Sequence, residues 1–456
     1  MSMCTHKNKN FDGEDSIIDG SKNKKELNQI LMDNFKDYGY YGYCSVNIDD
    51  EKSVCTNVPE PNDLKSELNN INQNSETKNP TDVSTELNQN NPNLAVLYYE
   101  DHSSHACSNL KIPDFEKPER LIDAFQYLKD NKIFNDDRCN LVTDIDKALE
   151  KDLLKIHTKS YVSFIKNYSK KGGGFLGDST YVTKDTYDVA KMSAGAAIRS
   201  AELVIDNNYS YSFALLRPPG HHAGKSRYGG FCIFNNAAIL ARYLQQKKGI
   251  EKVMIVDWDA HAGNGTMDIF YDDPDVITLS IHRSPHDFYP RTGFMSQIGE
   301  GAGEGYNINI EMPVGSENVE YKLAFDEVII PLIKRHSPDF LICCCGFDGY
   351  YQEKTVQMNL TSKGYYQMIR SIKSVFPENF VILMEGGYHK HNGKLCHSVI
   401  NALLDRPNPI HDDLKYSKYE SQLHKKVYNK AFENIFKIKE MFSLSSINDQ
   451  SKADNL

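Results

Sequence analysis

The sequence lacks several features that define whole classes of protein. No apolar run approaches the roughly 18 residues of a membrane span, and the N-terminus has no apolar signal core, so we predict neither. Basic residues are too few for a protein held on nucleic-acid phosphates, because 62 acidic residues outnumber 52 basic ones. An acidic surface instead attracts a cationic protein or a polyamine.

Paired cysteines are also missing. The ten cysteines are scattered without a CxxC pair, which argues against a structural zinc site. Three of them, 343–345, are consecutive inside an apolar run, as expected for reduced core cysteines. We therefore predict an intracellular protein of the cytoplasm, the nucleus or both.

The composition of the chain changes at Leu94. The segment 69–93 has nine asparagines and almost no apolar residue, so we expect 1–93 to be a largely disordered extension. From Leu94 onwards, apolar runs alternate with helical patterns, which predicts one catalytic domain over 94–440. The polar segment 441–456 is predicted to be a flexible tail.

The alternating pattern predicts an α/β fold with a central, mostly parallel sheet flanked by helices on both faces. A helix is expected over 116–130, and an amphipathic C-terminal helix follows from the spacing of Leu423, Val427, Ala431 and Ile435. Strands are expected at 94–99, 212–216, 252–257, 276–281, 339–345 and 379–384.

Four of the predicted strands end in polar, glycine-rich motifs. They run into RPPGHH, DWDAHAGNG, GFD and EGGY. Ligands of open parallel sheets bind at the carboxyl ends of the strands. We therefore expect one edge of the sheet to gather His221, His222, Asp257, Asp259, His261, Asp348 and Tyr388.

Part of this set has the composition of a metal site. Asp259 and His261 are two residues apart, so they face the same side of an extended segment. A helix-capping aspartate and a core histidine are the alternative explanation for an isolated DxH. With Asp348 as a third ligand, two carboxylates and one imidazole suit catalytic Zn²⁺ or Fe²⁺.

The adjacent histidines suit acid–base chemistry beside such a metal. One imidazole can accept a proton from water while its neighbour stays charged, provided that their partners differ. Asp257 and Asn264 flank the metal motif and are candidates for these partners. The hydroxyl of Tyr388 is a candidate donor to a substrate carbonyl, although GGY can also be a simple turn.

Taken in order, RPPGHHA, GGFCIFNN (229–236), DWDxHxGNG, GFD and EGGY resemble the zinc-dependent histone deacetylase and acetylpolyamine amidohydrolase superfamily. The asparagine of GNG is similar to that of its class II branch. The resemblance covers about 94–405 and implies the arginase/deacetylase-like fold. It also implies hydrolysis of an acetyl-lysine or acetylpolyamine amide with release of acetate, and a role in chromatin regulation where a histone is the substrate.

The resemblance also implies roles for individual residues. Asp259, His261 and Asp348 would bind Zn²⁺, His222 would be the general base and acid, and His221 would support it electrostatically. The substrate tunnel would be lined by Gly230, Phe231, Tyr289, Arg120 and Ser179, with Tyr289 facing Phe231. Structural K⁺ would be bound by Asp257, Asp259, His261, Ser280 and Ile281, and a second ion by Phe270, Asp273, Val276 and Tyr306. Hydroxamate-type inhibitors that bind zinc are expected ligands.

The sequence departs from the family pattern at a few positions. Ala262 replaces a histidine, Tyr289 replaces a phenylalanine, and the loop after Asp348 is unusual. That loop contains Glu353 and Thr355, either of which is a candidate gatekeeper, and an acidic one would favour acetylpolyamines. The protein substrate stays open between histones and other acetylated proteins.

Two alternatives compete with a deacetylase. The motif DAHA (259–262) resembles that of two-manganese arginases and agmatinases. Those enzymes need further carboxylates, and Gly263 and Gly349–Tyr350 occupy the corresponding positions. An inactive acetyl-lysine reader or scaffold would be expected to lose a ligand or the tyrosine, and the chain keeps both.

Overall fold

Eight parallel strands form the central sheet. The computed structural model describes residues 94–107, 115–206, 208–246, 250–353, 355–412, 414 and 418–444. The strands in these residues are β1 (Leu94–Leu97), β2 (Cys139–Val142), β3 (Gly173–Gly177), β4 (Thr180–Thr183), β5 (Tyr211–Ala214), β6 (Val253–Asp257), β7 (Val276–Arg283), β8 (Asn307–Met312), β9 (Phe340–Cys345) and β10 (Phe380–Met384). The sheet order is β2-β1-β5-β10-β9-β6-β7-β8, while β3 and β4 form a separate antiparallel hairpin.

Helices cover both faces of this sheet. They are α1 (Glu119–Asp130), α2 (Glu150–Leu153), α3 (Lys159–Lys170), α4 (Thr186–Ile205), α5 (Asn236–Gln245), α6 (Asn264–Ile269), α7 (Asn318–Ala324), α8 (Ile330–His336), α9 (Ser362–Val375), α10 (Asn392–Leu403) and α11 (Lys418–Met441). A π-helical turn, Phe325–Ile329, joins α7 to α8. Short 3₁₀ helices lie at Glu100–Ser104, Ile133–Asn135 and Gly301–Gly303.

The strands are apolar on both faces because the helices bury both. Alternate residues of β6 divide between two cores: Met254 and Val256 pack with α1 and α7–α11, whereas Val253 and Ile255 pack with α3–α5. This two-sided burial is the reason that the sequence shows continuous apolar runs at the strands. The α/β prediction is confirmed, and every neighbouring pair in the central sheet is parallel.

The predicted helices differ from the observed ones at their ends. Helix α1 begins at Glu119, with Pro118 as its N-cap, and not at residue 116. Helix α11 buries Val427, Ala431 and Ile435 as expected, but Leu423 is exposed. The predicted disordered extension 1–93 lies outside the described residues, as does most of the predicted tail 441–456. In the described part of the chain, no helix combines the length and apolarity required to cross a membrane.

Candidate active site at the carboxyl edge of the sheet

Four adjacent strands deliver the candidate site residues. Strands β5, β10, β9 and β6 are neighbours in the sheet although they are far apart in the chain. Their parallel pairing, for example Asp257 beside Cys344, aligns their carboxyl ends. The RPPGHH, EGGY, GFD and DWDAH segments therefore meet at one edge.

The RPPGHH turn is held by buried side chains. Oε2 of Glu385 accepts the main-chain N–H groups of Gly220 at 2.8 Å and of His221 at 3.3 Å. The hydroxyl of Ser193 donates to the carbonyl of Pro218 at 3.0 Å. In this turn the ring centroids of His221 and His222 lie 4.0 Å apart, so both imidazoles reach the same place.

The two imidazoles have different partners. Nδ1 of His221 lies 2.9 Å from Oδ2 of Asp257, and Nδ1 of His222 lies 2.8 Å from Oδ1 of Asn264. Burial disfavours the charged form of His221, but the carboxylates of Asp259 and Asp257 raise its pKa to about 10. Burial and the positive charge of His221 hold the pKa of His222 well below its usual value. One ring is thus charged and the other neutral near pH 7.

Asp259, His261 and Asp348 form a compact cluster of ligand atoms. Nδ1 of His261 lies 2.7 Å from Oδ2 of Asp348 and 3.2 Å from Oδ1 of Asp259. One ligand atom from each residue falls within 4.8 Å of the others. Main-chain N–H groups of Gly386 and Ala260 bind the carboxylates of Asp259 and Asp348 and orient them.

This donor set fits a divalent metal ion. Two buried carboxylates lie side by side, and burial together with the charge of Asp259 raises the pKa of Asp348. A cation between them would relieve this repulsion, and the ligand set of two carboxylates and one imidazole suits Zn²⁺ or Fe²⁺ with open coordination positions.

Tyr388 is held between a cation and an aromatic ring. The guanidinium of Arg120 lies 4.7 Å from the centroid of the tyrosine ring, and the ring of Phe231 lies 5.1 Å away. Arg120 also donates to the carbonyls of Gly387 and Glu385 at 2.7 and 2.5 Å. Burial raises the pKa of Tyr388 well above its usual value, so its hydroxyl keeps its proton and can donate.

A family model described as the histone deacetylase domain matches residues 114–404, which include every element of this site. The chain belongs to the histone deacetylase family. A "Probable deacetylase" of Archaeoglobus fulgidus is 36% identical over 297 residues, which are 64% of this chain and 80% of that protein. The histone deacetylase HDA1 of Saccharomyces cerevisiae is 35% identical over 331 residues, or 68% of this chain. The chain spans only 47% of that yeast relative.

A solved structure gives the same result for the fold. The crystal structure of the HDA15 HD domain superposes with a TM-score of 0.66 at 30% identity, covering 77% of this chain and 97% of that domain. The fold of this member of the histone deacetylase family is therefore the arginase/deacetylase-like fold that the motifs imply.

Gly230 and Tyr289 are the predicted tunnel residues that lie against the ring of His222. Gly230 has φ +48°, and a Cβ there would lie 2.3 Å from Cδ2 of His222. The ring of Tyr289 lies 5.0 Å from that of His222, and its hydroxyl donates to Oδ2 of Asp178 at 2.8 Å. Ser179 follows Asp178 in the β3–β4 turn, and both have positive φ.

The residues predicted to bind potassium fall in two places. Asp257, Asp259, His261, Ser280 and Ile281 lie at the ends of the paired strands β6 and β7 and in the segment that follows β6. Phe270, Asp273, Val276 and Tyr306 lie between α6 and β8, where Asp273 pairs with Arg242 at 2.5 Å. The first set lies together around the paired residues Asp257 and Ser280, and potassium binding at either set stays a prediction.

Two functional candidates, Glu385 and Asp178, escaped the sequence analysis, and a third, Glu353, was predicted only as a gatekeeper. Glu385 supports the histidine turn, Glu353 contacts Tyr388, and Asp178 binds Tyr289. Glu385 is the first residue of the EGGY motif and follows a strand, which is a signal that would have identified it. Asp178 precedes Ser179 in a glycine-rich segment without an apolar pattern, and nothing in the sequence indicates its partner.

Proposed function

We propose that the chain is a class II-like, metal-dependent amidohydrolase that removes acetyl groups from lysine side chains of proteins. The observation that carries the proposal is a pair of adjacent buried imidazoles, one bound to a carboxylate and the other to an amide, beside a cluster of two carboxylates and a third imidazole. Such a pair separates the tasks of base and electrostatic support, as hydrolysis of an amide requires.

The protein groups have distinct tasks in this reaction. A Zn²⁺ or Fe²⁺ ion held by Asp259, His261 and Asp348 would polarise the acetyl carbonyl and acidify water. His222 is neutral and held at Nδ1, so Nε2 is left to take a proton and return it to the leaving amine. His221 stays charged on Asp257 and supports the negative charge that develops on the substrate.

Tyr388 completes the proposed machinery. Its protonated hydroxyl donates to the acetyl carbonyl as that oxygen becomes negative, which lowers the barrier without a proton transfer. The presence of the tyrosine and of the three candidate ligands argues against the inactive reader. We also propose K⁺ at the two sets of residues named above, and hydroxamates as inhibitors.

The loop after Asp348 bears on the choice between acetyl-lysine and acetylpolyamine. Glu353 is only 7% exposed, and its carboxylate accepts hydrogen bonds from Thr355 and Tyr388. Thr355 carries no charge, and the carboxylate of Glu353 is already bound by the protein. The loop therefore presents no acidic group for the amine of a polyamine, which supports a protein lysine substrate such as a histone tail. The partly exposed carboxylate of Asp178, near the tunnel, is the observation that keeps an acetylpolyamine as the second candidate.

The test is acetate release from an acetyl-lysine peptide and from acetylspermidine, with and without a chelator. Chelator-sensitive turnover of the peptide alone would support the protein deacetylase. Turnover mainly of acetylspermidine would favour the second candidate. Zinc binding without turnover of either substrate would contradict both and favour the reader or another acyl group. An intracellular location is part of the proposal, and imaging of a tagged full chain would test it.

A further inference from the structure

Glu353 is a buried carboxylate that the proposed chemistry does not use. It lies five residues after Asp348, in the loop that follows β9, and it is only 7% exposed. Acidic side chains are rarely buried to this extent unless their oxygens have partners. Such a carboxylate can either bind a cationic group of the substrate or hold the protein's own backbone.

Both oxygens of Glu353 accept hydrogen bonds from the protein itself. Oε2 accepts the main-chain N–H of Tyr388 at 3.2 Å. Oε1 accepts the hydroxyl of Thr355 at 2.7 Å and, at 3.5 Å, its main-chain N–H. A carboxylate bound in this way points at the backbone at Tyr388 and stabilises the conformation of that segment.

The peptide group between Gly387 and Tyr388 is held on both edges. Its carbonyl accepts Nε of Arg120 at 2.7 Å and Nδ2 of Asn392 at 2.9 Å, and its N–H donates to Glu353 at 3.2 Å. A peptide group is planar, so fixing its two opposite polar atoms fixes the orientation of the plane. That plane fixes the N–Cα bond of Tyr388 and so limits the directions in which its side chain can leave the backbone.

We propose that Glu353 is a positioning residue for Tyr388 and not a sensor of substrate charge. The inference rests on the proposed function of Tyr388 as donor to the acetyl carbonyl. Without Glu353 the peptide plane is held only on its carbonyl edge and can tilt. A tilt of about 10° would move a hydroxyl roughly 6 Å from the Cα by about 1 Å, and a misplacement of that size costs about 100-fold in rate.

Two variants of Glu353 test the proposal on an acetyl-lysine peptide. We expect Glu353→Ala to lower kcat about 10- to 100-fold with KM within about twofold, because binding is kept and orientation is lost. Glu353→Gln should recover most of the loss, since its carboxamide oxygen can accept the same N–H. Glu311→Ala is the matched control: it removes another buried carboxylate that accepts a main-chain N–H, that of Met295 at 2.8 Å.

A double-mutant cycle separates positioning from general damage. If Glu353 acts through Tyr388, then Glu353→Ala should cause almost no further loss of kcat in a Tyr388→Phe background. An equal loss in both backgrounds would overturn the proposal. So would a selective loss of acetylspermidine turnover in Glu353→Gln, because that result would identify a sensor of substrate charge.

Hydrogen exchange gives a readout that is independent of turnover. Exchange in the segment 385–391 should accelerate in Glu353→Ala and stay slow in Glu353→Gln and Glu311→Ala, provided that all three remain folded. Unchanged exchange in Glu353→Ala would show that Glu353 does not hold the backbone at Tyr388, and would refute the proposal. If the wild-type protein hydrolyses neither substrate, the proposed function fails, while this measurement still decides whether Glu353 holds the turn.

Discussion

Replacing Gly230 by alanine would insert a methyl group into the space of the His222 ring. The added Cβ would lie 2.3 Å from Cδ2 of His222, where carbon atoms in contact need about 3.5 Å. The imidazole must therefore move by about 1 Å, and a shift of that size costs roughly 100-fold in kcat/KM. The left-handed backbone at φ +48° adds about 1–2 kcal/mol of strain to the folded state.

The structure supplies a control that separates these two effects. Gly301 has a similar φ of +56°, but nothing lies within 4 Å of a Cβ built there. Gly301→Ala should therefore lose the same 1–2 kcal/mol of unfolding free energy while keeping its activity. Peptide deacetylation and denaturant unfolding of both variants make the comparison. A folded Gly230→Ala protein with activity within about threefold of Gly301→Ala would refute the steric argument.

Three further predictions concern other contacts of the site and the core. Tyr388→Phe should keep substrate binding yet lose about 100- to 1,000-fold in kcat, and undiminished turnover would remove the hydroxyl from the mechanism. Tyr289→Phe should lower the unfolding free energy by about 1 kcal/mol, and this loss should disappear in an Asp178→Ala background, as a double-mutant cycle would show. Burial lowers the pKa of His157 from 6.5 to about 4, so the unfolded chain takes up the proton first. The stability tied to the neutral ring is complete above pH 6.5 and is lost as pH falls through 4. The contribution of the neutral ring to the unfolding free energy is about 3 kcal/mol. His157→Gln should therefore reduce the slope of the unfolding free energy against pH between about pH 4 and 6.5.

The sequence predicted the side chains that project from strand ends and the side-chain partners of the two histidines, but not the carboxylates that hold the backbone of these turns. Asp259 and His261 share a face because of their spacing, and the parallel sheet brings Asp348 to the same edge. Glu385 and Glu353 act on main-chain N–H groups of His221 and Tyr388. A bond to a main-chain N–H requires no particular residue type at the other end, so no pair of sequence positions indicates it.

The hairpin β3–β4 was missed for a different reason. Its strands have only five and four residues, and the first contains three glycines, so neither shows the alternation that marks a strand. The contact between Asp178 and Tyr289 spans 111 positions of the chain. Such a contact depends on the packing of two loops and has no local signal.

The central place of β10 in the sheet has a consequence for biosynthesis. This strand is inserted between β5 and β9, although it is the last of the sheet strands in the chain. During translation, the segment up to residue 379 can form the pairs β2-β1-β5 and β9-β6-β7-β8, each with one unsatisfied inner edge. These two half-sheets must remain apart, and protected from other chains, until β10 emerges from the ribosome. Nascent chains stalled before Phe380 should therefore be strong clients of chaperones that shield exposed strand edges.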